Sequence, residues 1–207
     1  NNKKLGKFYN QPNELIELEC DILIPAALEN AITIKNVKKI KTKIIPAFYN
    51  DPLYLKAMIN NIKSHLKNID YDYLLFSYHG LPESHLRISD PTNFHCQGNT
   101  CCEKGSVAHN TCYKHQVFET TKSIAQALNL KEGSYSNAFQ SRLANEPWLK
   151  PYTDSELKRL ANEGFKKMVV ITPAFVTDCL ETLEEIAMEA KEEFIEAGGE
   201  TFNYIPC

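Results

Sequence analysis

The stretch Tyr73-Leu-Leu-Phe-Ser-Tyr-His-Gly-Leu-Pro82 decides the fold. Tyr73-Leu-Leu-Phe76 has the apolar and aromatic composition of a buried strand. Gly80 and Pro82 then break it into a turn. That places His79 at the carboxyl end of a strand. In an open α/β sheet this edge gathers the loops and binds the ligands. A histidine there can exchange protons near neutral pH or ligate a metal. Its plainer reading is a hydrogen bond that closes the strand end.

Downstream, Thr111 to Leu128 is helical, with Val117, Ile124, Ala125 and Leu128 facing inward. Tyr135 to Ser141 reads as a strand, and Arg142 to Tyr152 as a turn region around Pro147-Trp148 and Pro151. Thr153-Asp-Ser-Glu156 is a capping box opening a helix to Asn162, which Gly164 closes. Lys167-Met-Val-Val-Ile-Thr172 is a further strand. Thr177 or Asp178 caps a long helix to Ala197, Gly198-Gly199 ends it, and Thr201 to Ile205 begins another strand.

Upstream, Asp51 caps and Pro52 opens a helix running to about Asn68. Leu55, Ile59, Ile62 and Leu66 share its inner face. Before it lie strand candidates at Asp21–Ala27 and Lys43–Phe48, with a helix candidate at Glu29–Lys41 that Ile32-Thr-Ile34 weakens. Residues 1 to 10 are polar and expected to fray. The alternation predicts right-handed βαβ units: an α/β fold with a parallel, Rossmann-like sheet and helices on both faces. No internal repeat or low-complexity tract interrupts it.

The bulk numbers agree. The 207 residues suit one domain or one and a half, and the net charge of −3 points away from nucleic acid and anionic membrane surfaces. The lysines between 35 and 43 read as a solvated face. The longest apolar run, Met168 to Val176, is too short to span a bilayer and contains Pro173. Asn1-Asn-Lys-Lys-Leu-Gly6 has no signal-peptide core, so the expected compartment is the cytosol. Seven cysteines, an odd count, argue against a disulfide framework there. Four of them, Cys96, Cys101, Cys102 and Cys112, cluster in or beside residues 82–111, which lack periodicity and read as a functional or disordered loop.

A second candidate site follows the strand at 167–172: Pro173-Ala-Phe-Val-Thr-Asp-Cys-Leu-Glu-Thr-Leu-Glu-Glu185. Glu181 and Glu185 are four apart, so both project from one helix face. Carboxylates in a first turn are favoured by the helix dipole, and an acidic helix start on a wet surface is the ordinary case. Here, however, His79 and Glu181 belong to loops at the same sheet edge. Together they make a proton-transfer pair or a divalent-metal site.

Four motifs now stand in order: Ser77-Tyr-His-Gly-Leu-Pro82, Phe139-Gln-Ser-Arg142, Pro147-Trp148-Leu149 with Tyr152-Thr-Asp154, and the segment from Pro173 to Glu185. From about Lys43 to Cys207 the chain resembles ferrochelatase, the enzyme that inserts ferrous iron into protoporphyrin IX. The resemblance implies roles. His79 matches the histidine that accepts pyrrole protons or holds the metal. Glu181 matches the carboxylate facing it across the porphyrin, and Glu185 a second acid on a polar path for metal or protons. Trp148, Tyr78 and Phe175 are assigned to substrate binding. His79, Glu181 and Glu185 are the candidate metal contacts. Cys179 stands where some relatives carry histidine, as a soft contact or as a small buried residue. The partners implied are protoporphyrin IX and ferrous iron, with peripheral membrane contact and no nucleic acid.

The family also implies a loop cofactor. Some members hold a [2Fe-2S] cluster, so Cys96, Cys101, Cys102 and Cys112 are candidate ligands for such a cluster or for zinc, with plain free thiols as the alternative. His95, His109 and His115 lie near as substitutes. The family enzyme has two similar α/β domains around a porphyrin cleft, and this sequence matches the second. On that reading the first domain is absent, and Ile205-Pro-Cys207 is expected to cut a strand short. Residues 13–45 instead resemble a piece of the nucleotide-binding domain of glutamate dehydrogenase. No G-x-G-x-x-G is present, so NAD is not expected. The expected division is therefore a dehydrogenase-like β-α-β fragment at 1–44 and a ferrochelatase-like α/β domain at 45–207, with a Cys-rich loop at 88–112. The alternatives to a ferrochelatase-type lyase are a non-catalytic porphyrin- or metal-binding module, a metal-cluster protein and an amino-acid dehydrogenase.

Overall fold

The computed structural model describes residues 37–40, 47–97, 100–143 and 146–207. The chain divides into two compact units between Ala47 and Phe48. In the first, the described part contains a 3₁₀ turn at Val37–Lys39 with exposed lysines at 38 and 39. Otherwise the strand and helix candidates before residue 47 lie outside the described residues, while Ala47 and Phe48 are not in a strand.

The second unit opens with α1 (Pro52–Leu66). The Asp51 carboxylate accepts from the Leu53 and Tyr54 N–H groups at 2.8 and 3.1 Å, which satisfies two of the donors every helix start leaves over. Strand β1 (Tyr73–His79) follows, then α2 (Glu83–Ile88), three 3₁₀ turns, α3 (Tyr113–Leu128) and β2 (Tyr135–Gln140). After them come α4 (Thr153–Asn162), β3 (Lys167–Ile171), α5 (Leu180–Leu183), a π-helical turn at Glu185–Ala190, α6 (Lys191–Glu196) and β4 (Thr201–Tyr204).

The four strands form one parallel sheet in the order β2-β1-β3-β4, with Phe76 paired to Asn137 on one side and Ile171 on the other. Strand residues alternate faces. Leu74, Phe76 and Tyr78 therefore pack with Ile62 of α1 and with Val117 and Ile124 of α3. Tyr73 and Leu75 pack on the other face with Leu157 and Leu160 of α4, Ile186 of the π turn and Phe194 of α6. Leu74, Leu75 and Phe76 are fully buried. Burying each is worth about 1.5–3 kcal/mol, while the whole β-propensity scale spans about 1 kcal/mol, so packing on two faces sets this strand.

Three local expectations are corrected. Residues 83–88 form a helix where a loop was expected; only Leu86 of the six is buried, so the pattern is too short to show. The capping box at Thr153–Glu156 does not form. Tyr152 is the cap residue, and Thr153 and Glu156 bond elsewhere, to Ser77 and to Arg159 and Ser136. The long helix is capped by Cys179, not Thr177 or Asp178, and its course is broken by the π turn.

The chain leaves β1 toward β2 on one side, and leaves β3 toward β4 on the other. The β1–β3 gap is therefore the point where connections diverge, and crevices open there at the carboxyl edge of such sheets.

Candidate active site

His79 is the last residue of β1, and its ring is half-buried. Its Nδ1 lies 2.7 Å from the Gly80 carbonyl oxygen. A carbonyl can only accept, so Nδ1 carries a proton, and in the neutral ring Nε2 is the nitrogen with the lone pair. Three further bonds fix this turn. The Gly80 N–H donates to the Gln140 carbonyl at 2.7 Å, and the Tyr113 hydroxyl donates to the His79 carbonyl at 2.9 Å. Pro82 bridges to Trp148. Gly80 is required by close approach: a Cβ there would stand 2.9 Å from the Gln140 oxygen and 3.2 Å from the Trp148 ring.

The loop after β3 faces this turn. Phe175 brings its ring to 6.4 Å from that of His79, centre to centre. The Tyr54 hydroxyl of α1 donates to the Pro173 carbonyl, and burial pushes its pKa up to about 12. Asp178 accepts from the Tyr204 hydroxyl at 2.7 Å and from Thr182 at 3.1 Å. Burial pushes the Asp178 carboxyl up, but the bonds from Tyr204, the Cys207 N–H and Thr182 outweigh it and leave the net shift downward. Thr182 also accepts from the Cys179 N–H, closing the cap that starts α5.

Glu181 is thereby held at a helix start. The neighbouring Cys179 thiol is the main cause of a carboxyl held below the usual range. Its own N–H, and the His79 ring when protonated, act the same way, and burial opposes them. Cys179 in turn is raised, first by burial and then by the Glu181 carboxylate. His79 ends β1 and Glu181 lies in the helix that follows β3, so both stand at the carboxyl edge of this strand pair.

Glu185 opens the π turn, and the Ser141 hydroxyl donates to its carboxylate at 2.5 Å. Ser141 has φ +63°, a left-handed conformation that side chains other than glycine rarely adopt, directly after β2. Strain of this kind gathers at functional edges. Beside these residues lies a cavity of about 440 Å³ lined by Ser141, Asp154, Glu184, Glu185, Glu189 and Arg142, among others. Arg142 is held by Asp154 at 3.1 Å and lies over the Tyr152 ring. The lining is therefore strongly acidic. The residues lining this cavity include neither His79 nor Glu181, and neither Trp148 nor Phe175. Ser141, Glu184 and Glu189 were not singled out from sequence, although Ser141 sits within the Phe139-Gln-Ser-Arg142 motif.

Residues 24–207 match the ferrochelatase family model. The chain belongs to the ferrochelatase family. It is 45% identical over 174 residues to a ferrochelatase of Opitutus terrae, covering 84% of this chain and 50% of that one. Against a ferrochelatase of Pseudomonas fluorescens it is 44% identical over 191 residues, 90% of this chain and 56% of that one. With that of Stutzerimonas stutzeri the figures are 45% over 170 residues, 81% and 50%. The chain spans about half the length of the curated relatives it matches. The match begins within the segment that resembles glutamate dehydrogenase, and the comparisons lend that likeness no support.

Two family-implied assignments shift. Tyr78 does not reach the candidate site: it is 1% exposed, faces α3, and bonds Thr121 at 2.8 Å. It shares the parity of Leu74 and Phe76, so the pleat drives it into the core. Trp148 is 8% exposed and packs against Gly80 as a support of the His79 turn. Its indole Nε1 has no hydrogen-bond partner.

The cysteine loop is folded by Asp90, which accepts from the Thr92 N–H and hydroxyl and from the Cys96 N–H. Burial opposes ionisation there, but these bonds bring its pKa down to about 2. The thiols of Cys96 and Cys102 neighbour that of Cys112. Cys112 is the cap residue of α3. The neighbouring Cys102 thiol above all brings its pKa down to about 5, against the opposing effect of burial. Cys96 is pushed up to about 12, first by burial and then by the neighbouring thiolates. The Cys101 carbonyl accepts from Nε2 of His95 at 2.9 Å and of His109 at 3.2 Å. The donors are soft, as a cluster or zinc requires. Among the described residues, however, no group of three or more His, Cys, Asp or Glu side chains is arranged to hold a metal ion. No helix among them is long and apolar enough to cross a membrane.

Proposed function

We propose that this chain supplies the metal-insertion edge of a ferrochelatase, acting on protoporphyrin IX and ferrous iron in haem biosynthesis. One observation carries the reading. His79 has its Nδ1 proton held by Gly80, so in the neutral ring the Nε2 lone pair is the one left at the sheet edge where the helix bearing Glu181 begins. Metalation exchanges two pyrrole N–H protons for one dication, with no change in oxidation state. Nε2 of His79 is the base that takes up a pyrrole proton. The ionised Glu181 offers a charge to the ion or to the second proton. Glu185, with Ser141, continues an acidic path into the cavity beside it. The exposed Val176, Leu180 and Leu183 and the half-buried Phe175 supply apolar surface for a flat macrocycle. A peripheral membrane contact would use the same apolar side chains, and the cytosol is the compartment that goes with this reading.

The domain reading is a ferrochelatase-type α/β domain over 45–207 and a separate piece over 1–44. It is supported by the division between Ala47 and Phe48. A cluster or zinc on Cys96, Cys101, Cys102 and Cys112 is a proposal resting on donor chemistry. A visible charge-transfer band that Cys112→Ser abolishes tests the cluster, and metal analysis of the same two proteins tests the colourless zinc.

The function is tested by anaerobic titration of protoporphyrin IX fluorescence with the chain, followed by ferrous iron. The reading expects saturable binding, then quenching and a protohaem spectrum. Binding without conversion selects the non-catalytic porphyrin-binding alternative. Absence of binding overturns both.

A further inference from the structure

The two halves of the proposed site come from different strands, and nothing in the sequence says what fixes their spacing. One residue touches both. Gln140 ends β2 and pairs in register with His79. Its backbone carbonyl accepts the Gly80 N–H at 2.7 Å, and the Gly80 carbonyl in turn holds the His79 ring. Its side-chain Nε2 donates to the Glu181 carbonyl at 2.7 Å. Its Oε1 accepts from the Ser77 hydroxyl at 2.8 Å, and Ser77 meets Thr153, the first residue of α4, at 2.9 Å.

The orientation of the amide follows from its partners. A peptide carbonyl cannot donate, so the nitrogen must face Glu181 and the oxygen Ser77. Ser77 is 0% exposed, Thr153 4% and Gln140 6%, so these bonds are made away from water and an unpaired member would be costly. A glutamine that merely filled its own hydrogen-bonding capacity could do so within its strand end. This one reaches across β1 and spans 41 residues of sequence to the helix start that carries Glu181. That helix passes into a π turn four residues later. Irregular turns of that kind depend on bonds from outside the helix.

We propose that Gln140 is the positioning residue of this site, setting the distance between His79 and Glu181 by holding Gly80 with its backbone and the Glu181 carbonyl with its side chain. This rests on the function proposed above, since it assigns Gln140 a role through those two residues.

The test is a double-mutant cycle with a structural readout beside it. Gln140→Met keeps the length of the side chain and removes both polar bonds. Turnover with protoporphyrin IX and ferrous iron is expected to fall about tenfold, with porphyrin affinity unchanged within about twofold. In a Glu181→Gln background the same change is expected to cost less than about twofold, because the group being positioned has already lost its charge. Equal losses in both backgrounds would mark a general packing role and overturn the proposal. Hydrogen exchange needs no activity. The segment 179–185 is expected to exchange about tenfold faster in Gln140→Met, while the β1 and β2 amides keep their protection. Unchanged exchange in 179–185 overturns the positioning role. A wild-type chain that neither binds porphyrin nor turns over overturns the proposed function instead, and the exchange arm still decides for or against Gln140 as the tie.

Discussion

Gly80→Ala is the most demanding test of the geometry around His79. The added methyl would stand 2.9 Å from the Gln140 carbonyl oxygen, 3.2 Å from Trp148 Cε3 and 3.8 Å from Phe139 Cβ. The nearest of these is backbone and cannot rotate away. Relief therefore requires β1 and β2 to separate at their carboxyl ends, which lengthens the 2.7 Å bond from the Gly80 N–H to Gln140. Overpacking costs about 1–3 kcal/mol and the lost bond about 1 kcal/mol, so the sum is about 2–4 kcal/mol. For a domain of this size that lowers Tm by about 4–16 °C. Urea denaturation with unchanged m-value, together with thermal melts, measures it. Gly105→Ala is the control, because a Cβ there meets nothing within 4 Å and no left-handed φ is involved. It should fall within about 0.5 kcal/mol of wild type. A Gly80→Ala chain as stable as the Gly105→Ala chain would refute the close approach on which the His79 turn depends.

Four further outcomes are expected. His79→Ala should lower iron insertion by about 10²–10⁴-fold, the range for a lost general base, with circular dichroism and Tm near wild type because the ring is half-buried at a sheet edge. Unchanged turnover would remove His79 from the mechanism. Glu181→Gln should slow insertion about a hundredfold while porphyrin Kd stays put, and equal losses in both would make Glu181 a binding residue. Ser141→Gly should be more stable than Ser141→Ala by about 1 kcal/mol, since both lose the bond to Glu185 but only glycine relaxes at φ +63°; the reverse order would contradict the left-handed assignment. Cys112 should titrate as a thiolate with a pKa of about 5, seen in its ultraviolet absorbance and abolished by Cys112→Ser. Its folded pKa lies below the unfolded value of about 8.5, so the thiolate's stabilisation is full above that value and fades as pH falls toward 5. A stability profile that Cys112→Ser leaves unchanged over that interval would refute it.

The scaffold was legible because its signals are local. Asp51-Pro52 caps and starts α1 with bonds two and three residues away, and β1 and β3 are apolar runs bounded by turn residues. The misreadings fall where a distant partner outbid a local one. Thr153 and Glu156 have the spacing of a capping box, yet Thr153 bonds Ser77 across 76 residues and Glu156 takes Arg159 and Ser136. The helix at 83–88 buries only Leu86, and its first N–H is held by the Pro147 carbonyl 64 residues later. Tyr78 could have been placed without a structure. It is two and four residues from Phe76 and Leu74, so the strand's own alternation puts it in the core, and only its position inside a family motif drew it toward the pocket.

The same contrast separates the site's chemistry from its geometry. His79, Glu181 and Glu185 were readable as residue types at a sheet edge, because proton transfer and metal contact need imidazole and carboxylate. What aims them is carried by Gly80, Tyr113, Gln140, Ser141 and Cys179, whose contacts with the site include three made through backbone carbonyls. A backbone carbonyl is present at every residue, so no pattern of side chains can announce that it will be used. Only the register of β1 against β2 brings Gln140 level with His79 and lets one amide reach the helix that bears Glu181. It follows that substitutions preserving every titratable group can still disable this site. Gln140 is where that separation between having the residues and holding them can be measured.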